Sequence, residues 1–178
     1  MKKMLFGLLI VLFLIVALCF WITQPLIFTP QAANVGRIDP EKLRRHVEKI
    51  SNEFYPRSER HLGNLNETAD YIKAEFEKSG AQVSEQKFRV EGREFRNVIA
   101  LFGPQSPERV VIGAHYDGCG DTYGADDNAS GVAGLLELAQ LLGRETVPFQ
   151  VELVAYTLEE PPFFATTGMG SHVHAKSL

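Results

Sequence analysis

Residues Met4 to Ile22 carry no charge and are almost wholly apolar, and Lys2 and Lys3 precede them. About twenty apolar residues in a helix span the hydrocarbon core of a bilayer, where backbone polar groups must be satisfied within the segment itself. This run therefore constrains everything after it. Residues 1–24 read as an N-terminal transmembrane signal-anchor and lie outside any water-soluble core. No basic residue follows until Arg37, so the positive-inside rule keeps the N-terminus in the cytoplasm and places the remainder on the extracytoplasmic side, periplasmic or extracellular. Trp21 falls near the outer end, where amphipathic aromatics favour the membrane interface. The competing reading is a cleaved signal peptide. Its apolar stretch is ordinarily shorter and ends in small residues, whereas Phe20-Trp21-Ile22 is bulky and Gln31-Ala32-Ala33 offers only a weak cleavage site. A lipid-modified Cys19 fits less well, because Leu18 stands where a small residue is required.

Residues 25–38 read as a linker of Pro, Gln, Ala and Asn character. Residues 39–178 are enough for one modest domain with its own core. A net charge of −4 without a basic stripe argues against a nucleic-acid partner. The two cysteines, Cys19 in the apolar run and Cys119 in a Gly-rich loop, make no disulfide framework. No feature of the sequence fixes an oligomeric state.

Local patterns predict a mixed α/β domain. Asp39-Pro40-Glu41 is a helix start, with Asp as N-cap and Pro in the first turn, and Leu43, Val47 and Ile50 follow at helical spacing. A second helix is expected from about Asn64 to Ser79, with Leu65, Ala69, Ile72 and Phe76 on one face and Gly80 closing its end. Ala81 to Val90 and Phe95 to Phe102 flank Glu91-Gly92-Arg93 as a hairpin. Val110-Val111-Ile112 reads as a short buried strand. Ala129 to Leu142 reads as an apolar helix whose Gly131 and Gly134 permit close packing on a sheet, and Gln150 to Thr157 as a further strand. Strand, helix and strand from Val110 to Thr157 form a βαβ unit, which makes these two strands parallel. The expected fold class is α/β, a mixed and largely parallel sheet flanked by helices.

Three clusters of metal-friendly residues fall at or just past strand ends: His115-Tyr116-Asp117, Asp126-Asp127-Asn128 and Glu159-Glu160. Open α/β sheets bind ligands in the crevice at the carboxyl ends of their strands. One imidazole and several carboxylates suit zinc or a related divalent ion. In an extended His-x-Asp segment both side chains point the same way, so Asp117 can accept the spare imidazole N–H of His115 and fix its tautomer. Of the adjacent Glu159 and Glu160, one can bind metal while the other serves as general base. Asp127 has two oxygens and can bridge two ions. Each cluster also has a plain reading: a lone His-x-Asp is commonly structural, acidic pairs are commonly solvated, and Asp127 or Asn128 can simply cap the following helix.

Taken in order, Val111-Ile112-Gly113-Ala114-His115-Tyr116-Asp117, Gly124-Ala125-Asp126-Asp127-Asn128-Ala129-Ser130-Gly131 and Val154-Ala155-Tyr156-Thr157-Leu158-Glu159-Glu160 closely resemble the co-catalytic zinc exopeptidases, the group that includes bacterial leucyl aminopeptidases. Asn97-Val98-Ile99-Ala100 resembles the family's strand before the first motif, and Gly170-Ser171 its following helix start. The resemblance spans roughly Leu43 to the end. It implies an aminopeptidase acting on peptides with two zinc ions, which the apolar run outside the resemblance would tether to the membrane. His115 would bind one zinc, Glu160 the other, and Asp127 would bridge them. Glu159 would be the general base and Asp117 would orient His115.

The same resemblance implies two further ligands, an acidic residue and a late histidine, beyond Leu178. Residues 39–178 therefore read as the N-terminal portion of an exopeptidase domain. His172 and His174 fall on a stretch that resembles a surface or packing helix rather than a ligand site. Pro161-Pro162-Phe163-Phe164 stands where many relatives carry a small Gly-containing loop; it either shapes a pocket wall or simply packs. Cys119 reads as a loop residue, with metal binding or oxidation as the alternative. Two rival functions follow: a glutaminyl cyclase, which resembles the same family, and an inactive tethered binding module.

Overall fold

A computed structural model describes residues 2–23 and 38–178. The chain divides into two units, Met1–Gly36 and Arg37–Leu178. In the first, helix α1 (Lys2–Thr23) holds the apolar run, and its window Leu5–Ile22 is long and apolar enough to cross a membrane. All but the last residue of the expected linker 25–38 lies outside the described residues.

The second unit begins with helix α2 (Pro40–Glu48). Asp39 caps it as expected, its side chain accepting the Glu41 N–H at 3.0 Å. A wider π-helical turn, Lys49–Glu53, continues the segment and buries Ile50. Helix α3 (Leu62–Lys78) buries Leu65, Ala69, Ile72 and Phe76 along one face, as their spacing predicts. Each large apolar side chain taken fully from water stabilises by roughly 1.5–3 kcal/mol. Gly80 follows with φ +80°, a conformation open to glycine without a Cβ penalty.

The hairpin is also as read. Strand β1 (Gln82–Val90) pairs antiparallel with β2 (Arg93–Phe102), and the two-residue turn has positive φ at both Glu91 and Gly92. Glycine accepts that geometry readily, and such turns match the twist of the flanking strands. Strand β3 (Arg109–His115), helix α4 (Ser130–Leu142) and strand β4 (Gln150–Tyr156) form the βαβ unit, with β3 and β4 parallel. The sheet order is β1-β2-β4-β3, and β2 meets β4 antiparallel, so the sheet is mixed. The expected α/β class with flanking helices is observed, but the described sheet is not largely parallel as expected: two of its three strand pairings are antiparallel, because the β1-β2 hairpin joins β4 antiparallel and only the βαβ crossover gives a parallel pair.

Val98, Ala100 and Phe102 of β2 and Val151, Leu153 and Ala155 of β4 join Ile50, α3 and α4 in one core. The alternate residues of β4 face the other way. There Glu152 meets His174 of the short helix α5 (Gly170–Ala175), with 2.8 Å between Oε1 and Nε2.

Two further expectations are corrected. Strand β3 is not fully buried: Val110 is 46 % and Ile112 37 % exposed. It is the last strand of the described sheet, and an outer strand is sheltered by a neighbour on one side only. Nor do the α4 glycines serve sheet packing. Gly134 is exposed with open space where a Cβ would go, and Gly131 faces the side chain of Asn128.

Candidate metal centre

Parallel pairing of β3 with β4 brings their carboxyl ends to one level, with His115 opposite Tyr156. His115 is the last residue of β3. Asp127 lies in the turn Ala125–Ala129 that leads into α4, and Glu159 and Glu160 follow the end of β4. At Leu158 the chain takes a φ of +60°, uncommon for a residue with a side chain and frequent near functional sites.

His115, Asp127 and Glu160 converge, each offering a ligand atom within 4.8 Å of the others. His115 Nε2 lies 3.0 Å from Asp127 Oδ1. Burial disfavours the His115 imidazolium, but Asp117, Asp127 and Glu160 outweigh it and hold its pKa up at about 9. Burial and the neighbouring Asp127 raise the Glu160 carboxyl, with His115 opposing them. Carboxylates that repel one another and retain a proton on an adjacent imidazole form a set that favours a cation. The donor set, one nitrogen and two carboxylates, matches zinc. The residues present therefore fit the metal that the motifs imply.

Asp117 is 2 % exposed and sits beyond the end of β3. Its Oδ1 lies 3.5 Å from His115 Nδ1, while its own backbone oxygen lies closer, at 3.2 Å. Its Oδ2 accepts the Glu160 N–H at 3.1 Å. Asp117 therefore touches the imidazole of one candidate ligand and the backbone of another.

Glu159 lies outside the converging trio. Both its oxygens face Ser171, which donates its N–H to Oε1 at 2.7 Å and its hydroxyl to Oε2 at 2.8 Å. Asn128 takes the capping role that sequence left open between it and Asp127, accepting the Gly131 N–H at 3.1 Å. Asp127 is left facing His115. His172 and His174 do not join the trio, and His174 is buried against Glu152 and the Tyr156 hydroxyl. Phe163 packs on Phe95 with ring centroids 6.4 Å apart, and Phe164 is exposed. Cys119 is free and exposed.

Two supporting residues have roles that the sequence did not reveal, Arg57 without any motif and Asn97 read only as part of a strand. Arg57 is fully buried between α2 and α3. Its Nε donates to Tyr116 O at 2.9 Å, Nη1 to Tyr123 O at 2.6 Å and Nη2 to Gly124 O at 2.5 Å. One guanidinium thus ties together the two ends of the loop between His115 and Asp127. Burial pulls the Arg57 pKa down, and the carboxylates of Asp117 and Asp127 work against that fall. Asn97, also fully buried, accepts the Thr157 N–H at 3.2 Å and donates to Gly170 O at 2.8 Å. Gly170 N in turn donates to Thr157 O at 2.8 Å. This neck closes the loop that carries Glu159 and Glu160.

A mixed sheet with a histidine–carboxylate cluster at its parallel strand ends defines a zinc-exopeptidase-like protein. Residues 97–177 match Peptidase family M28, and the chain is similar to zinc exopeptidases of solved structure. It is 43 % identical to YfbL of Escherichia coli (strain K12) over 191 residues, covering 100 % of this chain and 57 % of that protein. It is 29 % identical to the aminopeptidase YwaD of Bacillus subtilis (strain 168) over 86 residues, 47 % of this chain and 19 % of that protein. Among solved structures it resembles the Porphyromonas gingivalis glutaminyl cyclase, with a TM-score of 0.61 and 27 % identity, covering 68 % of this chain and 48 % of that one. The chain thus spans less than two thirds of the length of each of these relatives.

Proposed function

We propose that this chain supplies part of the catalytic centre of a zinc-dependent exopeptidase, an aminopeptidase that removes N-terminal residues from peptides. The observation that carries the reading is the convergence of His115, Asp127 and Glu160 within 4.8 Å at the strand ends, with Glu159 next in sequence to one of them. His115 and Glu160 would each hold one of two zinc ions, and the two oxygens of Asp127 suit it to bridge them. Zinc bound there would supply Lewis acidity towards the scissile carbonyl and acidify a water.

The chain's own residues would do the rest. Glu159 takes a proton from the attacking water as its oxygen bonds to the carbonyl carbon. It returns that proton to the departing amine as the C–N bond breaks, so water is divided between the two products. Asp117 holds the His115 imidazole from its Nδ1 side and fixes the Glu160 backbone. In the full-length protein, Glu159→Gln should cut turnover of L-leucine p-nitroanilide by roughly 10²-fold or more while keeping its zinc. Unchanged turnover would remove Glu159 from this role.

The likeness to a solved glutaminyl cyclase supports a second reading on the same groups. There the substrate's own α-amine attacks its side-chain amide carbon, ammonia leaves and no water is consumed. A glutaminyl peptide assayed for released ammonia separates the two. Absence of both turnover and bound zinc would favour an inactive tethered module.

The same proposal anchors the domain by α1 on the extracytoplasmic side. Alkaline phosphatase fused behind residue 178 should be active in intact cells, and an inactive, stably expressed fusion would contradict that topology.

A further inference from the structure

We propose that Ser171 is the positioning residue for Glu159, fixing the plane of its carboxylate; the inference rests on reading Glu159 as the general base. One residue grasps both oxygens of one carboxylate, through its N–H at 2.7 Å and its hydroxyl at 2.8 Å. These are short, charge-assisted contacts, among the stronger hydrogen bonds available to a side chain. The terminal torsion of a glutamate is broad and roughly two-fold. Left to itself the carboxylate would rotate, and two fixed donors stop that rotation.

The donors are themselves held. Ser171 follows Gly170, whose N–H and carbonyl are bound by Thr157 O and Asn97 Nδ2, both at 2.8 Å. Asn97 also accepts the Thr157 N–H. Ser171 and Glu159 therefore stand on opposite sides of one closed neck, which places donor and acceptor in register before any substrate arrives. A Cβ at residue 170 would strike Asn97 Oδ1 and come within 2.5 Å of Thr157 O, so the neck admits only glycine as built.

The grip leaves capacity for chemistry. Each carboxylate oxygen has two acceptor sites, and Ser171 occupies one on each. Glu159 can still take a proton from water while its orientation is fixed. A misplacement of about 1 Å at a reacting group can cost as much as 10²-fold in rate, which is what this arrangement prevents.

The test uses full-length, zinc-loaded protein and whichever probe the parent turns over, L-leucine p-nitroanilide or a glutaminyl naphthylamide. Ser171→Ala, Ser171→Thr and Glu159→Gln are compared with the parent for kcat, KM, bound zinc and melting temperature. Ser171→Ala keeps the backbone donor and loses the hydroxyl, so kcat should fall about tenfold with KM within about twofold, a fraction of what general-base catalysis supplies. Bound zinc should not change, and Ser171→Thr should restore most of kcat. Parental kcat in Ser171→Ala would overturn the inference. So would a loss of zinc or stability in Ser171→Ala that accounts for its fall in rate, because the serine would then serve packing alone. Parental activity in Glu159→Gln would instead overturn the reading of Glu159 and leave the cause with that residue rather than with Ser171.

Discussion

His115 Nε2 and Asp127 Oδ1 lie 3.0 Å apart, with the imidazole side chain 17 % exposed and the carboxylate 74 % exposed. The nitrogen donor is recessed at the strand end and the acidic partner reaches over it from the following turn. Proton and metal compete for the same ring nitrogen in such an arrangement, because only neutral imidazole binds metal.

A pH dependence follows for the metal-free protein. The His115 pKa is raised from 6.5 to about 9 in the folded chain, so folding favours its protonated form. That stabilisation is fully present below 6.5 and is lost as pH rises through about 9. Denaturant midpoints of chelator-treated protein should fall between about pH 6 and about pH 10, and less so in His115→Gln. A midpoint that rises over this window through His115 would contradict the sign. Zinc binding at neutral pH should also release a proton, which calorimetry in buffers of different ionisation heat detects.

Arg57→Met should be among the most damaging single changes outside the ligand trio. It removes the donors of Tyr116, Tyr123 and Gly124 carbonyls, and each buried group left unpaired costs about 1–3 kcal/mol. Equilibrium denaturation should show a loss of about 1–3 kcal/mol, set mainly by the Tyr116 carbonyl, since its bond to Arg57 is buried and those of Tyr123 and Gly124 are only partly so. Zinc should also be held more weakly in competition with a chelator, since these carbonyls bracket Asp117 and lead into the turn that carries Asp127. A variant as stable as the parent would show that the loop holds its shape without the guanidinium.

Gly170→Ala tests the neck. The added methyl meets Asn97 Oδ1 and the Thr157 backbone, and overpacking of this kind typically costs about 1–3 kcal/mol. The melting temperature should fall and turnover should fall with it, because Glu159, Glu160 and Ser171 all hang from this closure. Full stability with full turnover would mean that the neck opens freely.

Much of this centre was legible in the sequence because its signals are local. The helix face of Leu65, Ala69, Ile72 and Phe76 has the 3.6-residue period, the Glu91-Gly92 turn has its own chemistry, and β3-α4-β4 follows from the handedness and length of a crossover. That unit alone accounts for His115, Asp127 and Glu160 meeting. What could not be read depends on contacts between segments far apart in the chain. Arg57 is one arginine after a proline, with no period or spacing to single it out, yet it is buried and bonded to three carbonyls more than fifty residues away. The pairing of Asn97 with Thr157 and Gly170 is equally long-range. The partial exposure of Val110 and Ile112 was missed for a different reason: an apolar run reports what a strand can bury, while its place in the sheet decides what it does bury. The setting of Asp117 departs from a simple extended His-x-Asp because β3 ends at His115.

The central claim is that His115, Asp127 and Glu160 hold zinc at the ends of β3 and β4. Its most direct test is bound zinc per chain, measured by elemental analysis on the full-length protein and on His115→Ala. The expected result is about two zinc ions in the parent, as a two-metal hydrolytic site requires, and a clear loss in the variant while its fold persists by circular dichroism. Equal zinc in the two proteins, or none in a folded and zinc-supplemented parent, would contradict the claim.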